Sequence, residues 1–510
     1  MTTVTATFAA SVRRAPSAVA IEQDGVTTSY AVLAAQVAQA AGALAGLDRA
    51  ETRRFAILSE NRAEYLELQL ATAHLGAVLA CLNWRLAAPE LQHCLDLVEP
   101  GVLLVSARMG ERLSGVNPRG AETVALGPAW DALRDAARPA AKAASPDAPW
   151  LLLYTGGTTG LPKAAMLSQR TELARMPAMA ADLGLVAGGA VLGWPPLFHM
   201  GGTEPALHAL LSGGRVILED GFDSGRLAKH LARTRFGWVS VMPGAVAALA
   251  EAVKREGRVA GVGACGVMAD LVAPADLARI TALLGAPWCN TFGSTETGTP
   301  PLSAARIAPG DPAPDLGKLP SPFCAFRLLD PDGAEVVRGT VGEIAVRGPT
   351  VFSGYWRDPD ATAREFRKGW FRMGDLFRQR EDGRFVFVDR AKYLIKSGGE
   401  NIYPAEIERV LLAHPSVAEA VVVRQPDACW GEVPVALVAG RGGPVPTDEL
   451  ARMCRVQLAG FKQPKRIVVA PRALLARTQT GKLRRDRLEE WLAARPAPDA
   501  IGNTAKDTGP

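Results

Sequence analysis

The segment LLLYTGGTTGLPK, residues 151–163, runs from apolar residues directly into a loop of glycine and threonine that ends in Pro162 and Lys163. Glycines let backbone N–H groups turn toward an anion and approach it closely, and threonine hydroxyls add donors. A Walker A loop needs lysine directly after its last glycine, which is not the arrangement here. A plain surface turn is the alternative, but the strand pattern and the closing Pro-Lys favour a polyphosphate site. Its predicted contacts are Thr155, Gly156, Gly157, Thr158, Thr159, Gly160 and Lys163.

Strand and helix patterns alternate on both sides of this segment. Residues 28–46 have a Ser/Thr start, apolar residues at helical spacing and a glycine stop, which predicts a helix. Residues 54–61 and 101–106 have the apolar pattern of buried strands, and we expect residues 63–80 to form a helix between them. The alternation continues to about residue 300 and predicts an α/β fold of mostly parallel sheets covered by helices.

The pattern changes after residue 310. Short apolar segments separated by D-G turns predict a small β-barrel subdomain over residues 310–389. A mixed helix and strand pattern then predicts a small, mobile α+β domain over residues 390–495. We therefore expect a large N-terminal domain over residues 1–389, this small C-terminal domain, and a flexible tail over residues 496–510.

Composition limits the classes of function. The chain has 510 residues and a net charge of +5 without a basic stripe, which argues against nucleic-acid binding. Seven scattered cysteines form no C-x-x-C pair, so we expect reduced thiols in a cytoplasmic enzyme. The sequence shows neither a signal-peptide pattern nor an apolar run that we expect to span a membrane. It leaves a homodimer open.

A second glycine pattern offers a competing interpretation. Residues 261–266, GVGACG, satisfy G-x-G-x-x-G, the pattern of a dinucleotide-binding turn in a nicotinamide-dependent dehydrogenase. No clean strand precedes it, and no acidic residue follows at the distance needed to bind a ribose. A dehydrogenase is therefore a remote alternative.

Six motifs in order resemble those of the acyl-adenylate-forming enzymes, which include acyl- and aryl-CoA ligases, peptide-synthetase adenylation domains and firefly luciferase. The resemblance covers nearly the whole chain, and Phe292 replaces the tyrosine usual in the third motif. The motifs are YTGGTTGLPK, PPLFHMGG (195–202), NTFGSTETG (290–298), GWFRMGD (369–375), VDRAKYLIKSGGENIYPAEIE (388–408) and TQTGKLRR (478–485).

The resemblance implies a ligase that uses ATP and Mg²⁺ to join a carboxylic acid to AMP. It implies that Lys482 bridges the carboxylate and the α-phosphate and that Glu296 holds Mg²⁺. It also implies that Asp375 accepts the ribose hydroxyls and that Arg390 helps to bind the ribose or a phosphate. Each of these residues has a bland alternative, such as a solvated lysine or a turn carboxylate. The catalytic set implied is Lys482, Glu296, Thr295 and His199. The remaining nucleotide contacts implied are Gly266, Val267, Met268, Thr291, Phe292, Gly293, Ser294 and Thr295.

The resemblance further implies that the small domain rotates about Lys392, after which coenzyme A attacks the same carbonyl. The implied CoA contacts are Arg85, Gly398, Gly399, Trp430, Phe461 and Lys465, although Gln463 replaces a basic residue common in aryl-CoA ligases. Core packing is the alternative for Trp430 and Phe461. An acyl-AMP ligase that loads a carrier protein is the nearest competing function.

The acid itself is specified only coarsely. His199 resembles a residue that contacts or gates the acyl site in relatives, although a packed, hydrogen-bonded histidine is the alternative. The predicted acyl pocket is mostly apolar and indicates a hydrophobic aliphatic or aromatic acid. Its lining is predicted to be Trp194, His199, Met200, Gly202, Met242, Met268 and Asn290.

Overall fold

The computed structural model describes residues 2–156, 161–397, 400–427, 429–475 and 485–495. The chain divides into two compact units. The first comprises residues 1–373 and 377–387, and the second comprises residues 374–376 and 388–510. The expected α/β class, with parallel sheets, covering helices and a smaller C-terminal domain, is confirmed, and the expected β-barrel subdomain is a half-barrel sheet.

Two sheets form the core of the first unit. In each sheet the interior strands run parallel; both end strands of the eight-stranded sheet and one end strand of the six-stranded sheet are antiparallel. The eight-stranded sheet has the order Arg306–Ile307, Trp288–Cys289, Val262–Cys265, Phe236–Val239, Ala190–Gly193, Arg215–Leu218, Val19–Gln23, Val26–Ser29. The six-stranded sheet has the order Glu122–Ala125, Val102–Val105, Arg54–Leu58, Val78–Cys81, Pro149–Gly156, Pro162–Ser168.

Helices connect these parallel strands, as a parallel sheet requires. The α-helices are Val4–Arg14, Tyr30–Leu47, Ala63–Leu75, Ala88–Val98, Pro128–Ala136, Gln169–Ala178, Met200–Ser212, Ser224–Arg233, Val246–Glu256, Pro274–Leu284 and Pro359–Glu365. Shorter helical turns are Ala107–Leu113, Met179–Leu183, Pro243–Ala245 and Ala269–Leu271.

The helix expected over residues 63–80 is confirmed to Leu75 and wrong beyond it. The helix ends at Leu75 because Gly76 adopts a left-handed conformation with φ of 64°, and the chain then enters the strand Val78–Cys81. A left-handed glycine is a common helix stop. The sequence does not predict this strand, because a short apolar run has the same composition in a buried strand as at the end of a buried helix.

The helix Tyr30–Leu47 is long and apolar enough to cross a bilayer by length and composition alone, contrary to our expectation that no run was. Ser29 caps it by accepting a hydrogen bond from the Val32 N–H. Its buried face, which includes Tyr30, Leu33 and Leu44, lies in the hydrophobic core of the first unit. This packing accounts for the apolar residues on that face.

The remaining strands form two small sheets. Phe292–Ser294 pairs antiparallel with Gly298–Leu302. A five-stranded sheet contains Ala325–Leu329, Val341–Arg347, Trp370–Gln379, Phe366–Arg367 and Phe385–Arg390.

The second unit is built on the long antiparallel pair Val417–Asp427 and Gly431–Gly440. The strands Ile395–Ser397, Glu400–Ile402 and Arg466–Val469 complete its sheet. Apolar clusters on two sides of this sheet include Ile407, Leu411 and Leu450 in one, and Leu475, Leu488 and Leu492 in the other. The helices are Pro404–Leu412, Thr447–Gln457, Arg472–Leu475 and Arg485–Ala493, with short turns Ala391–Tyr393 and Gly460–Lys462.

Candidate active site

The predicted acyl and adenine residues lie in the segments that follow four adjacent parallel strands. These strands are Ala190–Gly193, Phe236–Val239, Val262–Cys265 and Trp288–Cys289. Because carboxyl ends of parallel strands meet at one edge of a sheet, the loops that begin at residues 194, 240, 266 and 290 lie along the same edge. Ligands of open α/β sheets bind outside this edge.

His199 caps the helix Met200–Ser212. Its Nδ1 accepts a hydrogen bond from the Gly201 N–H at 3.1 Å, which fixes the ring at the start of the helix. A Cβ built on Gly202 would lie 2.4 Å from the carbonyl oxygens of Pro195 and Pro196. Glycine at this position therefore permits the turn to close on itself, rather than making room for a ligand.

Asn61 holds this turn in place, and the motifs did not reveal it. It is buried, and its Oδ1 accepts a hydrogen bond from the Leu197 N–H at 2.9 Å. Its Nδ2 lies 2.9 Å from the Pro195 carbonyl oxygen and 3.0 Å from that of Glu219. One amide thus joins the six-stranded sheet, whose strand Arg54–Leu58 precedes it, to the carboxyl edge of the eight-stranded sheet.

The other predicted acyl residues are mostly buried near this edge. The Trp194 indole N–H donates to the Ser240 carbonyl oxygen at 3.0 Å, and Met242 is buried. Asn290 is fully buried, and its Nδ2 donates to the Leu316 carbonyl oxygen while its Oδ1 accepts from the Ala269 N–H. Met200 and Met268 are half-buried. Asn290 therefore braces two loops through its amide.

Two tryptophans fix the segment predicted to flank adenine. The Trp238 indole N–H donates to the Gly266 carbonyl oxygen at 3.2 Å, and the Trp288 indole N–H donates to that of Val267 at 2.5 Å. Gly266 has φ of 83°, and a Cβ there would lie 2.2 Å from the Trp288 ring. Phe292 packs its ring against Phe377 with centroids 4.7 Å apart, so this side chain belongs to the core.

The pattern GVGACG does not form a phosphate-binding turn. Its residues Val262–Cys265 are a strand in the interior of the eight-stranded sheet. A Cβ on Gly263 would lie 2.5 Å from the Gly237 carbonyl oxygen of the neighbouring strand. The glycines serve strand packing, which removes the support for a dehydrogenase.

The backbone and side chain of Glu296 are both fixed. Its N–H donates to Ser294 Oγ at 3.2 Å, and its carbonyl oxygen accepts from the Phe352 N–H at 2.7 Å. Its carboxylate Oε1 accepts a hydrogen bond from the Tyr355 hydroxyl at 3.0 Å. The turn before it is tight, because a Cβ on Gly293 would lie 2.0 Å from the Gly298 carbonyl oxygen. Thr295 and Glu296 are buried.

A buried charge cluster supports the Thr295 backbone. Arg175 donates from Nη1 to Glu204 at 2.5 Å, from Nη2 to the Thr295 carbonyl oxygen at 3.1 Å, and from Nε to the Thr350 carbonyl oxygen at 2.9 Å. Glu172 is also fully buried, and among the described residues neither of its carboxyl oxygens has a hydrogen-bond partner. Burial, and next the neighbouring Glu204, raises the pKa of Glu172 to about 8, while Arg175 opposes the rise.

Lys163 lies on the strand Pro162–Ser168, at the end of the glycine loop. Its Nζ is 4.7 Å from the centroid of the Tyr355 ring and 3.5 Å from Glu365 Oε1. Thr155 and Gly156 end the preceding strand, which pairs with this one. The predicted phosphate contacts Gly157, Thr158, Thr159 and Gly160 lie outside the described residues.

Asp375 and Arg390 form an ion pair in the second unit. Arg390 Nε is 3.1 Å from Asp375 Oδ1, and the carboxylate is buried while the arginine side chain is exposed. The adjacent Asp389 accepts from the Ala405 N–H at 2.8 Å in the first turn of the helix Pro404–Leu412. Lys392 follows on an exposed turn, with its Nζ 4.9 Å from the Tyr393 ring.

The two aromatic residues implied for CoA are surface residues. Trp430 is 52% exposed and Phe461 is 44% exposed, which contradicts the alternative that they pack in a core. Lys465 Nζ lies 6.0 Å from the Trp430 ring. In the first unit, the Arg85 guanidinium lies 4.8 Å from the Trp84 ring centroid. The implied residues Gly398, Gly399 and Lys482 lie outside the described residues.

Comparison with known proteins identifies the family. The model of the AMP-binding enzyme family matches residues 8–356, and that of the AMP-binding enzyme C-terminal domain matches residues 406–482. The chain belongs to the AMP-binding enzyme family. The resemblance stated from the six motifs is thereby confirmed.

Relatives span nearly the whole chain. Feruloyl-CoA synthase from Amycolatopsis sp. is 36% identical over 92% of this chain and 95% of its own length. Indoleacetate–CoA ligase from Aromatoleum aromaticum is 35% identical over 91% and 93%. The structure of o-succinylbenzoate CoA synthetase from Bacillus subtilis, in complex with its acyl-adenylate intermediate, matches with a TM-score of 0.81 and 28% identity over 95% of this chain and 97% of that one.

Proposed function

We propose that this AMP-binding enzyme is an ATP-dependent acyl-CoA ligase whose acid carries an aromatic ring. The observation that carries the proposal is the match of both family models in order along a chain whose acyl and adenine segments follow four adjacent strands. The named relatives are CoA ligases and a CoA synthase. The enzyme class, an AMP-forming acid–thiol ligase using ATP, Mg²⁺ and CoA, follows from the family.

The first half-reaction makes the carboxyl group reactive. A carboxylate oxygen attacks the α-phosphorus of ATP, the bond to the β-phosphate oxygen breaks, and pyrophosphate leaves. Two anions must meet, so fixed donors and cations carry most of the catalysis. We assign this work to the glycine loop, Lys163 and Lys482, with Asp375 and Arg390 holding the ribose.

Glu296 fits the role of a magnesium ligand. Among the described residues, the Tyr355 hydroxyl donates to its Oε1, and its Oε2 could then bind a metal. In the described ranges no cluster of three or more His, Cys, Asp or Glu side chains could hold a metal alone. A magnesium ion here would therefore take its other ligands from phosphate and water, as this ion usually does. When bound, it neutralises charge on the phosphates.

The second half-reaction transfers the acyl group. The CoA sulfur attacks the acyl carbon, the bond to the AMP oxygen breaks, and the thiol proton passes to solvent while AMP leaves. We assign Arg85, Trp430, Phe461 and Lys465 to the CoA nucleotide, because an exposed tryptophan beside a lysine suits a flat base and its phosphates. Gly398 and Gly399 would line the pantetheine path, and Lys392 would serve as the hinge for rotation of the small domain.

Two observations support an aromatic acid as the substrate: the residues predicted to line the acyl pocket and the names of the relatives. Methionine side chains at residues 200, 242 and 268 offer a polarisable apolar wall that packs well on rings. The names of the three relatives described above each refer to an acid with an aromatic ring. Trp194 and His199 complete the wall.

A pyrophosphate-release screen tests this function. Purified enzyme receives ATP and Mg²⁺ with matched aromatic and aliphatic acids, with and without CoA. We expect release to depend on an aromatic acid and the thioester to form with CoA itself. If no acid causes pyrophosphate release, the protein is not this ligase. If pyrophosphate is released but no thioester forms with CoA, and a thioester forms once a carrier protein is added, the carrier-loading alternative is favoured.

We further propose a cytoplasmic location, supported by seven unpaired cysteines, of which five are buried. A homodimer stays a prediction, which light scattering of the purified chain would test.

A further inference from the structure

We propose that Tyr355 is a positioning residue that ties the metal carboxylate of Glu296 to the strand leaving the phosphate loop. The proposal rests on the proposed function, because it takes Glu296 as the magnesium ligand. It adds a residue that none of the six motifs contains.

The contact that carries the proposal is a hydrogen bond from a buried hydroxyl to a buried carboxylate. The Tyr355 hydroxyl donates to Glu296 Oε1 at 3.0 Å, and both residues are largely removed from solvent. A hydrogen bond to a charged acceptor fixes geometry more strongly than a neutral one.

The position of Tyr355 is itself fixed by the strand Pro162–Ser168. Tyr355 forms a β-bridge with Ala165, and the Trp356 N–H donates to the Ala164 carbonyl oxygen at 2.8 Å. The Tyr355 N–H also donates to Thr362 Oγ1 at 2.9 Å. Since this strand begins directly after the glycine loop, a displacement of the loop exit would be transmitted to the tyrosine.

Lys163 connects the same two parts from the other side. It lies on that strand, and its ammonium faces the Tyr355 ring at 4.7 Å. The Tyr355 side chain therefore contacts the predicted phosphate lysine through its ring face and the predicted metal ligand through its hydroxyl. The Tyr355 side chain would then fix the distance between a phosphate bound at Lys163 and a metal bound at Glu296.

The test measures how strongly magnesium improves ATP binding, by calorimetry on the full chain without acid or CoA. We expect Tyr355→Phe to weaken binding of Mg·ATP by about tenfold, the scale of one hydrogen bond to a charged group. Binding of ATP in the presence of EDTA should stay unchanged. Because no acid is present, failure of the proposed acid chemistry would leave this readout intact.

Tyr30→Phe is the matched control, since that buried hydroxyl donates to the Gly214 carbonyl oxygen at 2.7 Å away from the site. In a Glu296→Gln background the effect of Tyr355→Phe should vanish if the tyrosine acts through Glu296. If Tyr355→Phe fails to fold, Tyr355→His, which keeps a ring donor, should retain part of the magnesium preference. Equal weakening with and without magnesium, or no weakening, would overturn the proposal.

Discussion

Arg175 donates a hydrogen bond from Nη2 to the backbone carbonyl oxygen of Thr295 at 3.1 Å, in a position with no solvent exposure. The same guanidinium pairs with Glu204 on the helix that His199 caps. One buried cation thus supports both the segment before Glu296 and the helix behind the acyl motif. A Cβ on Gly298 would lie 2.7 Å from the Arg175 Cδ, which explains the glycine at the end of this motif.

Replacing Arg175 by methionine should destabilise the protein by about 3–5 kcal/mol, because it leaves the Glu204 carboxylate buried without its cation. Urea unfolding measures the loss. Arg175→Met with Glu204→Leu should recover much of it, since an apolar pair removes the stranded charge. Arg170→Met is the control on the same helix, because Arg170 pairs with Asp147 at the surface and should change little. A double variant as unstable as Arg175→Met would contradict the account.

Glu172 makes stability depend on pH. Its carboxyl has a pKa raised from 4.5 to about 8 in the folded protein, first by burial, so the folded state keeps a proton that the unfolded chain loses. The stability that this group contributes is therefore present at low pH and falls as pH rises between these two values. Glu172→Gln cannot ionise, so it should gain relative to the wild type by up to about 1.4 kcal/mol per pH unit in that window.

Urea unfolding of both proteins across this pH range checks the slope. Glu251→Gln is the control, because the exposed Arg279 pair lowers the pKa of Glu251 and places its titration below the window. A constant difference between the wild type and Glu172→Gln at all pH values would show that Glu172 does not titrate there.

Replacing Asn61 should raise the KM for the acid more than the KM for ATP. Asn61→Ala removes the acceptor for the Leu197 N–H and the donor to the Pro195 carbonyl oxygen, which frees the turn that carries His199. We expect the KM for the acid to rise about tenfold, the scale of one or two lost buried hydrogen bonds, with a smaller change in the KM for ATP. Asn117→Ala, in which an exposed side chain bonds only nearby backbone at Arg119 in the described structure, is the control. Equal increases for both substrates would argue for general damage.

Asp375 should matter for nucleotide affinity. Asp375→Asn keeps the shape but removes the charge that Arg390 pairs with, and an amide is a weaker acceptor for ribose hydroxyls. We expect ATP binding, measured by calorimetry, to weaken about tenfold. Asp382→Asn, at an exposed turn where the carboxylate pairs with Arg380, is the control. Unchanged ATP affinity would remove Asp375 from the ribose site.

The sequence predicts those parts of the fold that depend on residues near one another along the chain. The helix Tyr30–Leu47 follows from its Ser29 cap and periodicity, and the motif segments after Ala190–Gly193 and Val262–Cys265 meet because parallel strands share an edge. It was insufficient where a residue acts across the fold. Asn61 bonds Leu197 from another sheet, and Arg175 reaches Thr295 from a helix far earlier in the chain. Neither side chain belongs to a motif, and no spacing rule brings those backbones together.

A substitution at Lys482 tests whether adenylation and thioester formation depend on different residues. It lies outside the described residues, within the segment TQTGKLRR that the family's C-terminal model ends on. Lys482→Ala should slow acid-dependent pyrophosphate release by roughly a hundredfold or more, the scale of one charge-stabilising group lost from a transition state. Conversion of supplied acyl-AMP and CoA to thioester should be spared, because we assign the lysine only to the attack of the carboxylate on the α-phosphate. Arg487→Ala, an exposed cation in the following helix, should spare both steps. Equal loss of both half-reactions in Lys482→Ala would contradict the separation.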